Sequence, residues 1–323
     1  MALYLKFPFA ENYLSLHEDM GDETVSFVSF EGKSSVDFKG ALRPISVDEL
    51  RGNPLYSDEI YTELHGFTEE TEAVYHEKLT QIISFLKENN LPKLVFSRRK
   101  KIAFDRKLNL THTFLELCNT YPNALVYLFI KDEKCWIGAF SELLGKFTPK
   151  NGLFETMALA GTLPLNEEWG SKEIEEQNPV TDFIFQILEK NATNVRKSET
   201  YDHPSGNIKH LRTDFKAQLS PQYLEQLIAE LHPTPAVCGI PKELCMSAIE
   251  HFEAHPRKLY AGYIRIEGNG QVHYFVNLRC AEIYRNAALL YVGGGITTDS
   301  DPAKEWQETE LKAQAVFNNM IFV

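Results

Sequence analysis

Two stretches of short, strand-like segments, separated by a helix-rich middle, constrain the fold of this chain more than any other feature. Residues 1–70 carry alternating apolar and polar positions, as in Val25–Phe30, and such alternation is typical of half-buried strands. The second stretch is best marked by a hairpin whose arms, 260–266 and 272–278, flank a turn rich in glycine. With 171–231 as the helix-rich middle, we predict an α/β (α+β) fold with two facing β-sheets and helices packed outside them.

The remaining segments are expected to belong to one compact unit. Helical apolar spacing covers Tyr75–Asn89, and strand-length apolar runs cover Lys93–Phe96 and Ala124–Ile130. No low-complexity linker separates these segments from the rest of the sequence. We therefore predict that residues 1–70 form a short N-terminal β-rich part of the same unit, and that residues 71–323 form the domain that carries the function.

Composition and charge narrow the functional classes. Apolar residues make up 43% of the 323 residues and charged residues 24%, as in ordinary globular proteins. The formal net charge of -12 argues against non-specific binding to nucleic acid or to an anionic membrane. We therefore expect a small substrate or a protein partner. We interpret the basic run Arg98–Lys101 as the solvated end of a strand.

The N-terminus lacks the basic flank and the long apolar stretch of a signal peptide, and the clearest apolar run has only strand length. We therefore expect a cytoplasmic protein without a membrane anchor. The five cysteines are widely spaced and include no C-x-x-C pair, so we expect reduced thiols and no zinc site. His251 and His255 are four residues apart, but the glutamate that a zinc protease needs after the first histidine is missing.

Two predicted helices carry glutamates at spacings that bring them to one face. Glu305 and Glu308 share a face with Lys312 in the last helix, and Glu173 and Glu176 share a face of an earlier one. On a surface, a glutamate–lysine pair four residues apart would contribute only about 0.3–0.5 kcal/mol. Because apolar residues continue both faces, we interpret the glutamates as inward-facing. Carboxylates from separate helices are plausible ligands of Mg2+.

A glycine triplet, Gly293–Gly295, lies between an apolar strand, 288–292, and the last helix, whose start is marked by Asp301-Pro302. The triplet fits neither of the glycine patterns that bind nucleotides. We interpret it as a loop whose unhindered backbone N–H groups, close to a helix start, can bind a carboxylate.

Nine segments match, in order, those of one enzyme family. They are Lys93–Arg98, Gly138–Leu144, Met157–Thr162, Lys172–Glu176, His210–Thr213, Leu231–Val237, Leu278–Ala281, Val292–Gly295 and Asp301–Thr309. Over about residues 72–323, the chain thereby resembles the chorismate-utilising enzymes, which include isochorismate, anthranilate, aminodeoxychorismate and salicylate synthases. The resemblance implies their chorismate-binding fold, which is that of anthranilate synthase component I. Phe140-Ser141 and Ala158 depart from the residues common in the family.

Three positions indicate which reaction the resemblance favours. Lys93 stands where isochorismate-type members carry a lysine that activates water, and Ala160 stands where aminodeoxychorismate synthases carry a lysine that attacks the ring. The segment His232–Val237 resembles isochorismate synthases more than salicylate synthases. The resemblance therefore implies an isomerase that converts chorismate into isochorismate, by adding water at C2 and removing the C4 hydroxyl.

The resemblance also implies the roles of the site residues. Lys93 would be the base and Glu142 the acid, so the lysine must be neutral and the glutamate protonated near pH 7, two states that burial favours. Glu176 and Glu308 would hold Mg2+, with Glu173 and Glu305 beside them. The implied substrate contacts are Gly161, Thr162, His210, Ala236, Val237, Tyr260, Arg279, Gly293 and Lys312.

Three alternatives stay open at this point. A salicylate synthase would go on to expel pyruvate, an aminating synthase would use ammonia with a glutamine-hydrolysing partner, and a non-catalytic protein would only bind chorismate. We expect chorismate as the substrate, no glutamine amidotransferase subunit, and a monomer. The sequence leaves open whether the product enters menaquinone or siderophore synthesis.

Overall fold

The computed structural model describes residues 1–18, 20–205 and 208–323. The side chains of residues 171, 172 and 205 also lie outside the described part, including that of Lys172, which belongs to one of the nine segments. The strands are β1 (Ala2–Lys6), β2 (Tyr13–His17), β3 (Glu23–Val28), β4 (Ser35–Ile45), β5 (Lys93–Ala103), β6 (Leu125–Lys131), β7 (Lys134–Phe140), β8 (Leu143–Thr148), β9 (Leu153–Pro164), β10 (Thr193–Lys197), β11 (Tyr201–Ser205), β12 (Ile208–Gln218), β13 (Gly239–Ile240), β14 (Tyr263–Gly268), β15 (Gln271–Val276), β16 (Cys280–Ile283) and β17 (Ala287–Ile296). The helices are α1 (Val47–Gly52), α2 (Glu72–Glu88), α3 (Leu110–Thr120), α4 (Ser171–Asn191), α5 (Leu224–Leu231), α6 (Lys242–Phe252) and α7 (Pro302–Phe317).

The described strands pair in antiparallel fashion into two sheets. Sheet A runs in the order β4, β2, β1, β6, β7, β16, β17, β5 and β13. Sheet B runs in the order β4, β3, β14, β15, β8, β9 and β12, and both β10 and β11 pair with β12. Strands from the first 70 residues therefore take part in both sheets.

Strand β4 belongs to both sheets because it changes partner along its length. Residues 35–40 pair with β3 in sheet B, and residues 41–45 pair with β2 in sheet A. At the point of change, Gly40 approaches the backbone of β2 so closely that a Cβ would lie 2.3 Å from the His17 carbonyl oxygen. Only glycine fits such a close approach.

The two sheets face each other across a shared apolar core, as predicted. In β6, Tyr127 and Phe129 point into this core, where Phe129 lies 4.5 Å from Phe27 of sheet B, measured between ring centroids. Val126 and Leu128 point the other way, into a second core that includes residues of α3 and α7. Each such side chain contributes about 1.5–3 kcal/mol by burial. Burial on both faces explains why this strand reads as a continuous apolar run.

Local sequence signals located several elements correctly. Asp301 caps α7 by accepting a hydrogen bond from the Lys304 N–H at 3.0 Å. The predicted hairpin is formed by β14 and β15, and its turn residues Asn269 and Gly270 have φ values of 51° and 70°. Such positive φ values suit the tight turns that join antiparallel strands. No helix among the described residues is long and apolar enough to cross a membrane.

The helix-rich middle was only partly correct. Helices α4 and α5 are present, but three strands, β10, β11 and β12, lie between them. In β12, buried Leu211, Thr213 and Phe215 alternate with the more exposed Arg212 and Asp214. Polar residues on the outer face weaken this alternation as a sequence signal. The strand is stabilised instead by its long pairing with β9, which sequence patterns do not reveal.

The interpretation of Arg98–Lys101 as a solvated strand end was wrong. Strand β5 continues to Ala103 and pairs with β17 from Leu94 onward. The side chain of Arg98 is fully buried, with its guanidinium carbon 3.7 Å from the centre of the Trp306 ring. It donates a 2.9 Å hydrogen bond to the Thr309 hydroxyl and pairs with the Glu310 carboxylate. These contacts attach α7 to the central strand.

Candidate active site

One cavity collects most of the residues singled out in the sequence. It lies beside β5, β9, β12 and β17, and helices α4 and α7 supply further side chains. Eleven of the thirteen predicted site residues line it: Glu142, Gly161, Thr162, Glu176, His210, Ala236, Val237, Tyr260, Arg279, Gly293 and Lys312. The two sheets therefore bring together side chains that lie far apart in the sequence.

The other two predicted residues, Lys93 and Glu308, are each paired with a residue of the cavity wall. The Lys93 ammonium donates to the Glu176 carboxylate at 2.7 Å. The Glu308 carboxylate accepts from the Lys312 ammonium at 2.6 Å, within helix α7. The acids from α4 and α7 are thus each balanced by a lysine.

The glycine triplet is part of a strand, which corrects its interpretation as a loop. Gly293, Gly294 and Gly295 lie within β17 and pair with Ser97, Phe96 and Val95 of β5. In a loop, the backbone N–H groups of the triplet would be free. Here the triplet takes part in a sheet ladder, and β5 supplies its hydrogen-bonding partners. The Gly293 carbonyl oxygen accepts a hydrogen bond from the Lys312 ammonium at 2.8 Å.

The missing side chains of the triplet leave space for charged groups. A Cβ on Gly295 would lie 2.4 Å from Lys93 Cε and 3.0 Å from a Glu176 carboxylate oxygen. On Gly294, a Cβ would lie 3.0 Å from a Glu305 oxygen and 3.8 Å from a Glu308 oxygen. The glycines therefore allow three acids and a lysine to approach the strand.

Glu142 has the protonation state expected of an acid catalyst. Its side chain is buried in the cavity wall, and burial raises its pKa from 4.5 to about 8. The positive charge of Lys93 opposes this shift without cancelling it. Glu142 is therefore protonated near pH 7, in agreement with the expectation from sequence.

Lys93 has a charged partner that the sequence did not reveal. The side chain is only 4% exposed, and its nitrogen lies 2.7 Å from a Glu176 carboxylate oxygen. The expectation from sequence considered burial alone, whereas the structure adds this carboxylate.

His210 links two of the predicted contact residues to Arg279. Its ring nitrogen Nδ1 lies 2.9 Å from the Gly161 carbonyl oxygen and 3.2 Å from the Thr162 hydroxyl. Burial and the nearby Arg279 lower the pKa of His210 to about 3, so the ring is neutral. With Nδ1 protonated and donating to Gly161, Nε2 accepts from the Arg279 guanidinium at 3.2 Å.

Two cationic groups in the cavity wall suit an anionic ligand. Arg279 is partly buried, and burial lowers its pKa, but an arginine remains protonated in proteins. Burial also disfavours the charged form of Lys312, but the adjacent Glu308 carboxylate outweighs this effect and raises the pKa of the lysine. Both groups therefore carry positive charge at neutral pH.

The sequence interpretation missed several wall residues. Val95, Leu159, Leu278 and Tyr291 also line the cavity, and the Tyr291 ring stacks on Tyr260 at 5.6 Å between centroids. The two-residue period of a strand could have identified two of them. Val95 lies two residues after Lys93, and Tyr291 lies two residues before Gly293, so each pair shares a strand face.

The donor set fits Mg2+, although no cluster of three histidine, cysteine or acidic residues in the described ranges has the geometry of a metal site. Glu176, Glu305 and Glu308 surround the glycines of β17, and magnesium usually takes one or two carboxylates with waters and substrate oxygens. Glu305 also accepts from the Ser300 hydroxyl at 2.8 Å. Glu173 accepts from the Gly170 N–H at 3.0 Å at the start of α4.

Comparison with known proteins identifies similar chains. Isochorismate synthase 2 of Arabidopsis thaliana, a chloroplast protein, is 29% identical over 260 residues, which cover 75% of this chain and 46% of the plant protein. The vibriobactin-specific isochorismate synthase of Vibrio cholerae is 27% identical over 268 residues, covering 75% of this chain and 65% of that protein. The chain thus spans less than two thirds of the length of these relatives.

A solved structure has the same fold as this chain, and a family model matches its sequence. The menaquinone-specific isochorismate synthase of Escherichia coli superimposes with a TM-score of 0.80 at 19% identity, over 98% of this chain and 88% of that structure. At this identity, the likeness shows the fold alone. The family model described as chorismate binding enzyme matches residues 53–321. This chain therefore belongs to the chorismate-binding enzyme family.

Proposed function

We propose that this protein is an isochorismate synthase that uses Mg2+ as its cofactor. The names of the relatives support the reaction, and one observation on the cavity carries the proposal. Glu142, a protonated acid, borders the same cavity as the Glu176 carboxylate to which Lys93 is paired. Moving a hydroxyl from one ring carbon to another requires an acid on one side of the ring and a base on the other.

Binding of the substrate is supported by the charge of the wall. Chorismate is a dianion, so burying it requires positive charge nearby even though the whole protein carries -12. Arg279 presents a planar fork that matches a carboxylate, and Lys312 supplies a second positive charge. His210 orients the fork through the hydrogen bond to Arg279.

The proton transfers follow from the two catalytic groups. Glu142 donates a proton to the C4 hydroxyl as it leaves, because its raised pKa keeps the proton available near neutral pH. Lys93, in its neutral amine form, accepts a proton from the water that attacks C2. Glu176 and Glu308 would hold Mg2+, which when bound supplies positive charge for the ring carboxylate.

Identification of the product tests the proposed reaction directly. Purified protein, Mg2+ and chorismate should yield isochorismate, which NMR distinguishes from chorismate, anthranilate and salicylate. A product that appears only with ammonium would support an aminating synthase instead. Binding of chorismate without any conversion would support a non-catalytic role. Because water is the proposed nucleophile, we also propose that no glutamine-hydrolysing subunit is needed. We further propose that the protein is a cytoplasmic monomer.

Removal of the metal tests the cofactor. We expect turnover to be abolished by exhaustive chelation and restored by Mg2+, and full activity in excess chelator would contradict the assignment. Glu176→Ala and Glu308→Ala should each weaken Mg2+ binding, as measured by calorimetry without substrate. Glu175→Ala is a matched control, since this exposed acid lies on the same helix as Glu176 and outside the cavity lining.

A further inference from the structure

A buried ion pair lies behind the cavity wall. Arg257 donates to the Glu253 carboxylate from both Nε and Nη2, with a shortest distance of 2.6 Å. Both side chains are 1% exposed. Burying two charges costs several kcal/mol per ion, and this cost is offset only by good geometry and further hydrogen bonds. Unlike a surface ion pair, this buried pair therefore depends on its geometry and on further hydrogen bonds.

The pair completes the hydrogen bonds of an unpaired strand edge. On the side of β5 away from β17, the only strand of the described chain that pairs with it is β13, at Lys93 and Leu94. Beyond these residues, the Val95 carbonyl oxygen accepts from Arg257 Nη2 at 2.8 Å, and the Ser97 N–H donates to Glu253 at 2.7 Å. Because buried backbone groups require partners, the two side chains take the place of a neighbouring strand.

The same guanidinium also holds a second part of the wall. Arg257 Nη1 donates to the Val237 carbonyl oxygen at 2.6 Å. Val237 ends a tight turn formed by residues 234–237, here called the Val237 segment. In this turn, the Thr234 carbonyl oxygen accepts from the N–H of Val237 at 3.0 Å. Val95 and Val237 both line the cavity. One planar group therefore fixes the spacing between the strand that begins at Lys93 and the segment that carries Val237.

We propose that Glu253 and Arg257 are positioning residues of the active site, which hold Lys93 and the Val237 segment at their working separation. The inference rests on the proposed function, because Lys93 matters as a base only in that reaction. The role requires a fork with several fixed donors. A lysine at position 257 could keep the ion pair with Glu253, but its single ammonium could not bind both carbonyl oxygens in the same geometry.

A double-mutant cycle on kcat separates positioning from general structure. Arg257→Lys should lower kcat for isochorismate formation by about 10- to 100-fold, since small misplacements of reacting groups have effects of this size. KM should stay within about threefold. In a Lys93→Ala background, Arg257→Lys should change kcat by less than about threefold, because its effect acts through Lys93. Equal effects in both backgrounds, or an unchanged kcat in the single variant, would overturn the proposal.

Two further variants of the protein control for effects on folding. Arg265→Lys is a matched control, because Arg265 is also ion-paired but lies on β14, outside the cavity lining, and its kcat should match wild type. Glu253→Gln with Arg257→Met removes both charges, so it should fold more stably than Arg257→Met alone while kcat stays low. If this double variant recovered wild-type kcat, the pair would have no positioning role.

Amide exchange distinguishes a failure of this inference from a failure of the proposed function. In Arg257→Lys, amides of residues 93–98 should exchange at least about tenfold faster than in Arg265→Lys, because the hydrogen bond from Arg257 to the Val95 carbonyl oxygen, which holds this edge of β5, is lost. If the wild-type protein forms no isochorismate, the proposed function fails, whatever the exchange shows. If the wild type is active but exchange at 93–98 is unchanged in Arg257→Lys, the positioning role fails alone.

Discussion

Burial and charge act in opposite directions on Glu142, and burial prevails. The unfolded chain releases the proton near pH 4.5, whereas the folded protein retains it to about pH 8. Between these values the folded state binds more protons, so this group destabilises the fold increasingly as pH rises. We expect Glu142→Gln to raise Tm relative to wild type more at about pH 8.5 than at about pH 5, as measured by scanning calorimetry. The same difference at both pH values would contradict a buried, titrating Glu142.

The same substitution should remove most of the catalytic activity. Glutamine keeps the shape of Glu142 but cannot donate the acidic proton, so we expect kcat to fall by about 100-fold or more. In the wild type, kcat should decline as pH rises through about 8, where the acid loses its proton. Steady-state rates with chorismate test both statements. A wild-type rate in Glu142→Gln would remove this residue from the mechanism.

Lys93 should be equally important, on the opposite side of the reaction. Lys93→Ala removes the proposed base, and we expect kcat to fall by about 100-fold or more, with the circular dichroism spectrum unchanged. Lys101→Ala is the control from the same strand, and its kcat should stay within about twofold. The backbone hydrogen bond from Lys101 to Glu69 does not depend on the side chain. Equal losses in both variants would indicate damage to β5 rather than loss of a base.

Sequence could identify most residues of the candidate site but not their pairing. Glu308 and Lys312 are four residues apart in a helix, and this pair could be predicted from spacing. Lys93 and Glu176 are separated by 83 positions, and their contact depends on how α4 lies against β5. Arg257 was missed for the same reason, since its partners Val95 and Val237 are brought to it only by the fold.

At the scale of elements, the attachment of α7 to β5 can be tested through Arg98. Arg98→Met should lower the free energy of unfolding by about 2 kcal/mol or more, because it removes a buried hydrogen bond to Thr309 and the stacking on Trp306. Urea unfolding measures this change. Arg106→Ala is the control, since its pair with Asp105 is exposed and should contribute less than about 0.5 kcal/mol. Equal values for the two variants would support the surface interpretation of Arg98.

Elements with local signals were predictable, and those that depend on distant partners were not. Helix α7 has a capping aspartate followed by proline, and the β14–β15 hairpin has its turn residues in place. By contrast, Gly293–Gly295 looks like a loop from its own composition. It becomes a strand because β5, almost 200 positions earlier in the sequence, supplies its hydrogen-bonding partner.

At the scale of the whole molecule, the cavity needs both sheets. Sheet A contributes the β5 and β17 walls, and sheet B contributes Leu159 to Gly161 of β9 and His210 of β12. The facing arrangement was predictable from the two β-rich stretches, but the order of strands was not, because it depends on pairings between segments far apart in sequence. A site assembled in this way depends on the complete fold, so we do not expect isolated halves of the chain to bind chorismate.

The energetics of the overall reaction give a final prediction for the intact protein. Moving a hydroxyl around the ring breaks one C–O bond and forms another, so chorismate and isochorismate should differ little in free energy. Salicylate formation would instead gain an aromatic ring and release pyruvate, and would run essentially to completion. We expect the protein with Mg2+ to reach the same chorismate-to-isochorismate ratio from either compound, with only trace pyruvate. NMR integration from both directions, with a coupled pyruvate assay, measures this outcome. Stoichiometric pyruvate, or complete loss of both isomers, would favour a salicylate synthase instead.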